Sequence, residues 1–236
     1  MQLSIVIPIK DEAASIPVLG REIEQVFASQ TYDWECLWVD DGSSDDSMAA
    51  IKQLQARNPR QRCIALDRNY GQSAALFAGF RLASGEIIAM LDGDLQNDPA
   101  DLVPMLQRLE RGKIELVNGV RVGRHDHGFR VFASRVGNRL MNWIIGIRVS
   151  DVGCSLRVFY REYLEGIPLW KGTHRFLAAL LIMNGARAME IDVTPRRRQF
   201  GKGKYGINNR LWVTLADMLA VRWYKWRRVK AGVRDL

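Results

Sequence analysis

Three features of the 236-residue sequence predict an α/β protein with a mostly parallel, doubly wound sheet. Short apolar runs bounded by turn residues recur through the first half, amphipathic segments with helix-start signals separate them, and acidic residues stand where several runs end. Ligands of open α/β sheets bind beyond the carboxyl ends of the strands, so those acids mark the expected functional edge.

The elements follow in order. Residues 3–9 are a first apolar strand, and Ser15-Ile16-Pro17 is a cap and first-turn proline opening a helix to about residue 29. Residues 34–39 form the second strand, ending in Asp40-Asp41-Gly42-Ser43-Ser44-Asp45, and a helix follows through residue 57. Residues 62–66 are a third strand, Ser73 is read as the cap of a helix to residue 82, and Ser84-Gly85 separates it from a buried strand at 87–91. Asp98-Pro99 opens a helix to about residue 111, and residues 114–117 return as a strand. From residue 119 to 129 the chain is rich in Gly, Arg and His and reads as a loop. Helical spacing resumes over 131–147, followed by a strand at 156–160, a helix at about 176–183 entered through His174-Arg175, a strand at 188–193 and a last helix through about residue 227. The organisation expected is one domain over residues 1–206, in two halves at 1–120 and 121–206, with a basic, aromatic helix over 207–236.

Composition narrows the class. Cys36, Cys63 and Cys154 are odd in number and widely spaced, which argues against a disulfide framework or a zinc site and for a reducing compartment. The N-terminus lacks the basic and long apolar regions of a signal peptide, so a cytosolic location is expected. Residues 1–120 carry 11 Lys and Arg against 18 Asp and Glu, and the remainder carries 23 against 8. A basic half suits nucleic acid, an anionic membrane surface or a phosphorylated substrate; without a helix-turn-helix, zinc-finger or RNA-recognition signature, nucleic acid is the weakest of the three. The stretch 211–224 is apolar but too short to span a bilayer, and Trp212, Trp223 and Trp226 among Arg and Lys suit a helix lying on a membrane surface; the competing reading is a helix docked on the domain with a solvated basic edge.

The chemistry concentrates at Asp92-Gly93-Asp94-Leu95-Gln96. Residues two apart on a strand share a face, and Gly93 is expected to let the backbone bend so that both carboxylates converge. Converging carboxylates repel unless a cation joins them, and hard oxygen donors suit Mg²⁺ or Mn²⁺; the competing reading is an acidic turn capping the helix opened by Pro99. A Walker loop is absent and no G-x-G-x-x-G turn follows the first strand, which argues against P-loop hydrolysis and dinucleotide redox chemistry.

Val39-Asp40-Asp41-Gly42-Ser43-Ser44-Asp45, Arg68-Asn69-Tyr70-Gly71-Gln72 and Asp92-Gly93-Asp94-Leu95-Gln96-Asn97-Asp98-Pro99, in this order, resemble the motifs of family-2 glycosyltransferases, and within them the polyprenyl-phosphate hexose synthase group. The resemblance implies a GT-A fold and a nucleotide-sugar donor, UDP- or GDP-linked. It places Pro8, Lys10 and Glu12 on the nucleoside, Asp40 on the base, and Asp41, Gln72 and Gly93 in the same donor site. Asp92 falls near ribose and metal, with Asp94 and Gln96 as metal ligands under the diphosphate. In the basic half it assigns phosphate contacts to Arg121, Arg130 and Ser134, more loosely a site role to Asp151 and Arg157, and a clamp on the donor diphosphate to Arg198 and Lys204. Lys10-Asp11-Glu12 departs from the Asn that often precedes the Glu, and Gly203 replaces a Ser.

The function expected is inverting, metal-dependent hexosyl transfer to a polyprenyl phosphate, at the cytoplasmic face of a membrane. Two alternatives stay open: transfer to a hydroxyl acceptor, which would need a carboxylate base such as Asp151, and a non-catalytic nucleotide-sugar-binding subunit.

Overall fold

In the computed structural model the described residues are 2–122, 128–200 and 210–229, with backbone alone for 128–136 and for 210 and 211. Seven strands form one sheet: β1 (Gln2–Ile9), β2 (Asp33–Asp40), β3 (Gln61–Ala65), β4 (Ile87–Met90), β5 (Leu116–Arg121), β6 (Arg157–Tyr160) and β7 (Ala188–Val193). Their spatial order is β3-β2-β1-β4-β6-β5-β7. Every pairing is parallel except those of β6, which runs antiparallel to both β4 and β5. The sheet is therefore mostly parallel, as the sequence predicts, with one reversed strand that the apolar pattern of residues 156–160 does not reveal, because direction leaves no mark on periodicity.

The helices are α1 (Ile16–Ala28), α2 (Ser47–Arg57), α3 (Gln72–Leu82), α4 (Leu102–Arg111), α5 (Gly128–Ile145), α6 (Leu177–Met183) and α7 (Arg210–Arg227). One core joins β1 and β4 to α1 and α4 through Ile5, Ile7, Leu19, Ile23, Leu102 and Leu106. A second, on the other face, joins Val6, Leu37 and Ile88 to Leu76 and Phe80 of α3 and Leu177 and Leu181 of α6. Both faces of the central strands are covered, which explains their unbroken apolar runs. A third, smaller core holds Met141, Ile144 and Ile145 of α5 against Phe176, Leu180, Met218 and Val221, so α7 is docked on the body of the protein.

Two expected caps are replaced. Ser15 makes no side-chain cap to α1; its hydroxyl instead donates to the carbonyl oxygens of Gly93 (2.7 Å) and Glu12 (2.9 Å), tying the first helix to the acidic turn. The cap of α3 is Gly71, at φ 95°, a backbone conformation that glycine adopts at little cost. Residues 119–121, expected in a loop, extend β5, because each gains a ladder partner in β7 at Ile191, Asp192 and Val193. The loop reading over 123–127, and with it His125 and His127, lies outside the described residues.

Candidate active site

The exits of β1, β2, β4 and β5 and the entry of β6 meet at one edge of the sheet. Because β6 is reversed, Arg157 at its start pairs in register with Met90, the last residue of β4, so the arginine stands beside the Asp92 turn. A cleft of about 580 Å³ opens there. Pro8, Lys10, Glu12, Asp41, Gln72, Asp92, Gly93, Asp94 and Gln96 line it together with Arg121, Arg157, His174, Arg175 and Arg198.

The acidic turn is held by close packing. A Cβ added to Gly93 would stand 2.3 Å from Ile9 Cδ1, so any larger residue there would have to displace the buried Ile9 side chain at the first strand's end. Gly93 and Asp94 form the expected turn, and the left-handed residue that follows is Leu95, whose φ is 61° and whose side chain is fully buried, anchoring a conformation that non-glycine residues seldom adopt. Asp92 Oδ1 accepts from Gln72 Nε2 at 2.9 Å. Burial, reinforced by the charge of Asp94, pushes the Asp92 carboxyl up to about 6. Asp94 Oδ1 accepts the Gln96 N–H (3.1 Å), and its Oδ2 accepts from Arg198 Nη2 at 2.5 Å.

The same guanidinium nitrogen lies 3.5 Å from Gln96 Oε1, so the oxygens of Asp94 and Gln96 converge on one cationic point. Among the described residues no three His, Cys, Asp or Glu side chains gather as a complete metal-binding set. Few protein oxygens at an otherwise open position fit Mg²⁺ or Mn²⁺, which keep waters and bind substrate phosphates directly.

The neighbouring acids have different work. Both oxygens of Asp41 accept backbone N–H groups, from Tyr70 (2.7 Å) and Gly71 (2.8 Å), and so fix the loop that presents Gln72. Asp40 is 3% exposed and accepts from Ser43 N–H at 3.1 Å; it lies outside the set lining the cleft. Lys10 Nζ donates to the Gly42 carbonyl at 2.6 Å.

On the basic side, Arg121 grips Asp151 through Nε (2.8 Å) and Nη2 (2.9 Å), a bidentate pair that engages both carboxylate oxygens, and Asp151 is 4% exposed. Arg157 is buried and donates to neutral acceptors: Asn118 Oδ1 at 2.7 Å, the Val152 carbonyl at 2.9 Å and the His174 carbonyl at 3.1 Å. Burial holds its pKa below the usual arginine value. The side chains of Arg130 and Ser134, and all of Lys204, lie outside the described residues.

Three cleft features escape sequence reasoning. His174 is read there as helix entry, yet it lines the cleft with its Nδ1 2.8 Å from Ser73 Oγ. Arg175 lines the cleft and donates to Thr214 Oγ1 of α7 at 2.7 Å. Arg196 pins the segment bearing Arg198: its N–H donates to the Gln96 carbonyl (2.8 Å) and its guanidinium pairs with Glu22 and Asp98. Partners from 39 to 174 residues away in sequence leave no local signal, although the Arg196-Arg197-Arg198 run marks the segment as basic.

A GT-A-type sheet with an acidic turn and several arginines lining one cleft at its edge points to a glycosyltransferase architecture. The comparisons agree, and the chain belongs to glycosyl transferase family 2, whose model matches residues 4–167. It is 35% identical over 236 residues to dodecaprenyl-phosphate galacturonate synthase of Rhizobium johnstonii, covering 98% of this chain and 70% of that protein. Among solved structures it is similar in fold to glucosyl-3-phosphoglycerate synthase of Mycobacterium tuberculosis. The complex with Mn²⁺, UDP and phosphoglyceric acid gives a TM-score of 0.72 at 19% identity, over 98% of this chain and 81% of that one. The complex with Mn²⁺, UDP-glucose and phosphoglyceric acid gives 0.70 at 18% identity, over 98% and 82%.

Proposed function

We propose that this glycosyltransferase moves a hexose, or its uronic acid, from a UDP- or GDP-sugar to a polyprenyl phosphate, with inversion and with Mg²⁺ or Mn²⁺. The observation that carries the reading is that one cleft is lined both by Asp92 and Asp94 and by Arg121, Arg157 and Arg175. The donor diphosphate needs a cation held by the acids, and an acceptor phosphate needs the arginines. The name of the Rhizobium relative, a dodecaprenyl-phosphate galacturonate synthase, supports both the lipid phosphate and a carboxylate-bearing sugar, and the Mn²⁺ and UDP of the mycobacterial complexes support the donor.

In this reading Asp94 and Gln96 hold the metal, Asp92 stands beside it, and Gln72 orients Asp92. When bound, the metal neutralises charge that grows on the departing diphosphate. Arg157 and Arg121 orient the acceptor so that one phosphate oxygen attacks the anomeric carbon as the bond from that carbon to the diphosphate oxygen breaks. A phosphate monoester has its second pKa near about 6 and arrives largely ionised, so no protein base is required. Asp151 is poorly suited to that role in any case, since both its oxygens engage Arg121. This favours a phosphate over a hydroxyl acceptor.

The enzyme would work peripherally at the cytoplasmic face of a membrane. Among the described residues no helix is long and apolar enough to cross one. Incubating the purified protein with a polyprenyl phosphate, Mn²⁺ or Mg²⁺ and a panel of UDP- and GDP-sugars, UDP-galacturonate included, tests the reading. A sugar-linked lipid is expected from at least one donor, lowered by about 100-fold or more in Asp94→Ala. No such product from any donor would overturn it.

A further inference from the structure

The acidic turn already holds a cation. Arg198 Nη2 lies 2.5 Å from Asp94 Oδ2 and 3.5 Å from Gln96 Oε1, and its Nη1 lies 3.5 Å from Glu12 Oε1. The Asp94 and Glu12 side chains are only 12% and 11% exposed, so solvent screens these contacts poorly. A divalent metal would need the oxygens of Asp94 and Gln96 at about 2.1 Å. A metal bridging those oxygens and the guanidinium nitrogen beside Asp94 Oδ2 are two cations drawn to one point, and each disfavours the other.

Resting on the metal reading above, we propose that Arg198 is a resident counter-cation that exchanges with the metal. In the nucleotide-free protein it neutralises Asp94 and keeps divalent metal out. A nucleoside diphosphate offers its own oxygens to the guanidinium, a better planar match than one carboxylate oxygen, and so releases Asp94 and Gln96 to the metal. Arg196 makes the exchange local: with its N–H on the Gln96 carbonyl and its guanidinium on Glu22 and Asp98, the segment stays in place while Arg198 turns by side-chain rotation. Metal and nucleotide then bind with positive, reciprocal coupling, and the site forms only when both are present.

Binding of Mn²⁺ to the full chain, followed by the electron paramagnetic resonance of free Mn²⁺ without nucleotide and with saturating UDP or GDP, tests this apart from turnover. The wild-type protein should bind Mn²⁺ at least about tenfold tighter with the diphosphate than without it. Arg198→Gln should bind Mn²⁺ alone about tenfold tighter than wild type and show weaker coupling, and Arg198→Lys should fall between. Arg198→Gln binding Mn²⁺ alone no tighter than wild type would overturn the exchange. If adding Asp94→Asn leaves the gain of Arg198→Gln intact, the metal binds elsewhere and the acidic-turn metal site falls, taking the exchange with it. Should Arg198→Gln fail to fold, Arg198→Lys carries the same comparison, and wild-type affinity in it counts against the proposal.

Discussion

At Gly93 a single hydrogen in place of a methyl group lets the end of the first strand lie against the acidic turn. A Cβ there would meet Ile9 Cδ1 at 2.3 Å, and Ile9 is itself 1% exposed with little room to yield. Gly93→Ala should therefore destabilise the protein by about 1–3 kcal/mol and displace Asp92 and Asp94 together. Urea unfolding would show the lost stability, and loss of nucleotide-dependent Mn²⁺ binding the displacement. Asp92 offers a pH test. Its carboxyl, raised by burial to about 6, keeps its proton to higher pH in the folded than in the unfolded chain. That contribution to stability is complete below about pH 4 and is lost as the pH rises through about 6. In the ligand-free protein, melting temperature measured between pH 4 and 7 should contain this decline, and Asp92→Asn should remove it. A parallel decline in both proteins would show that Asp92 does not titrate in this range.

Among the elements, α7 shows most clearly what sequence can and cannot deliver. Its length, aromatic content and basic edge are legible in residues 210–227. Which side faces outward is settled by packing: Met218 and Val221 are buried on α5 and α6, so the opposite stripe of Trp212, Leu219, Trp223 and Trp226, spaced by seven, four and three, is left exposed. Trp223 and Trp226 are 62% and 79% exposed, and Trp143 on α5 is 77% exposed. Arg222 and Lys225 turn the other way to donate to the carbonyls of Ile144 and Ile145 at the end of α5, and α7 is thereby stapled to it. Such a stripe suits the interfacial zone of a bilayer. Replacing Trp223 and Trp226 by Ser should lower co-sedimentation with anionic vesicles several-fold while leaving the melting temperature within a few degrees, since neither side chain is buried. Unchanged co-sedimentation would remove α7 from membrane binding.

For the molecule as a whole, the β-α alternation, the sheet edge and the acidic turn are written locally, in runs of a few residues, and the structure agrees with the sequence there to within about four residues. What is missing from the sequence reading depends on partners far along the chain: the reversal of β6, the grip of Arg121 on Asp151, and the arrival of His174 and Arg175 in the cleft. Charge separation also belongs to this scale. With 23 basic against 8 acidic residues after position 120, attraction to an anionic surface should weaken as salt rises from 50 to 500 mM, because the Debye length shrinks from roughly 14 Å to 4 Å. Vesicle binding measured across that range should fall steeply, and binding insensitive to salt would assign it to the aromatic stripe alone.

The reversed strand has a consequence for how such a cleft can be remodelled. A strand parallel to its neighbours would deliver its preceding loop to the far edge of the sheet, away from the chemistry. Since β6 runs against β4 and β5, the connection that feeds it, residues 151–156, arrives on the cleft side, and the one that leaves it, from Arg161, departs on the other. Lengthening or shortening the chain just ahead of Arg157 would thus reshape the cleft, whereas the same edit just after Tyr160 would alter only the remote rim. The sheet separates tuning of substrate from upkeep of the scaffold by the direction of one four-residue strand.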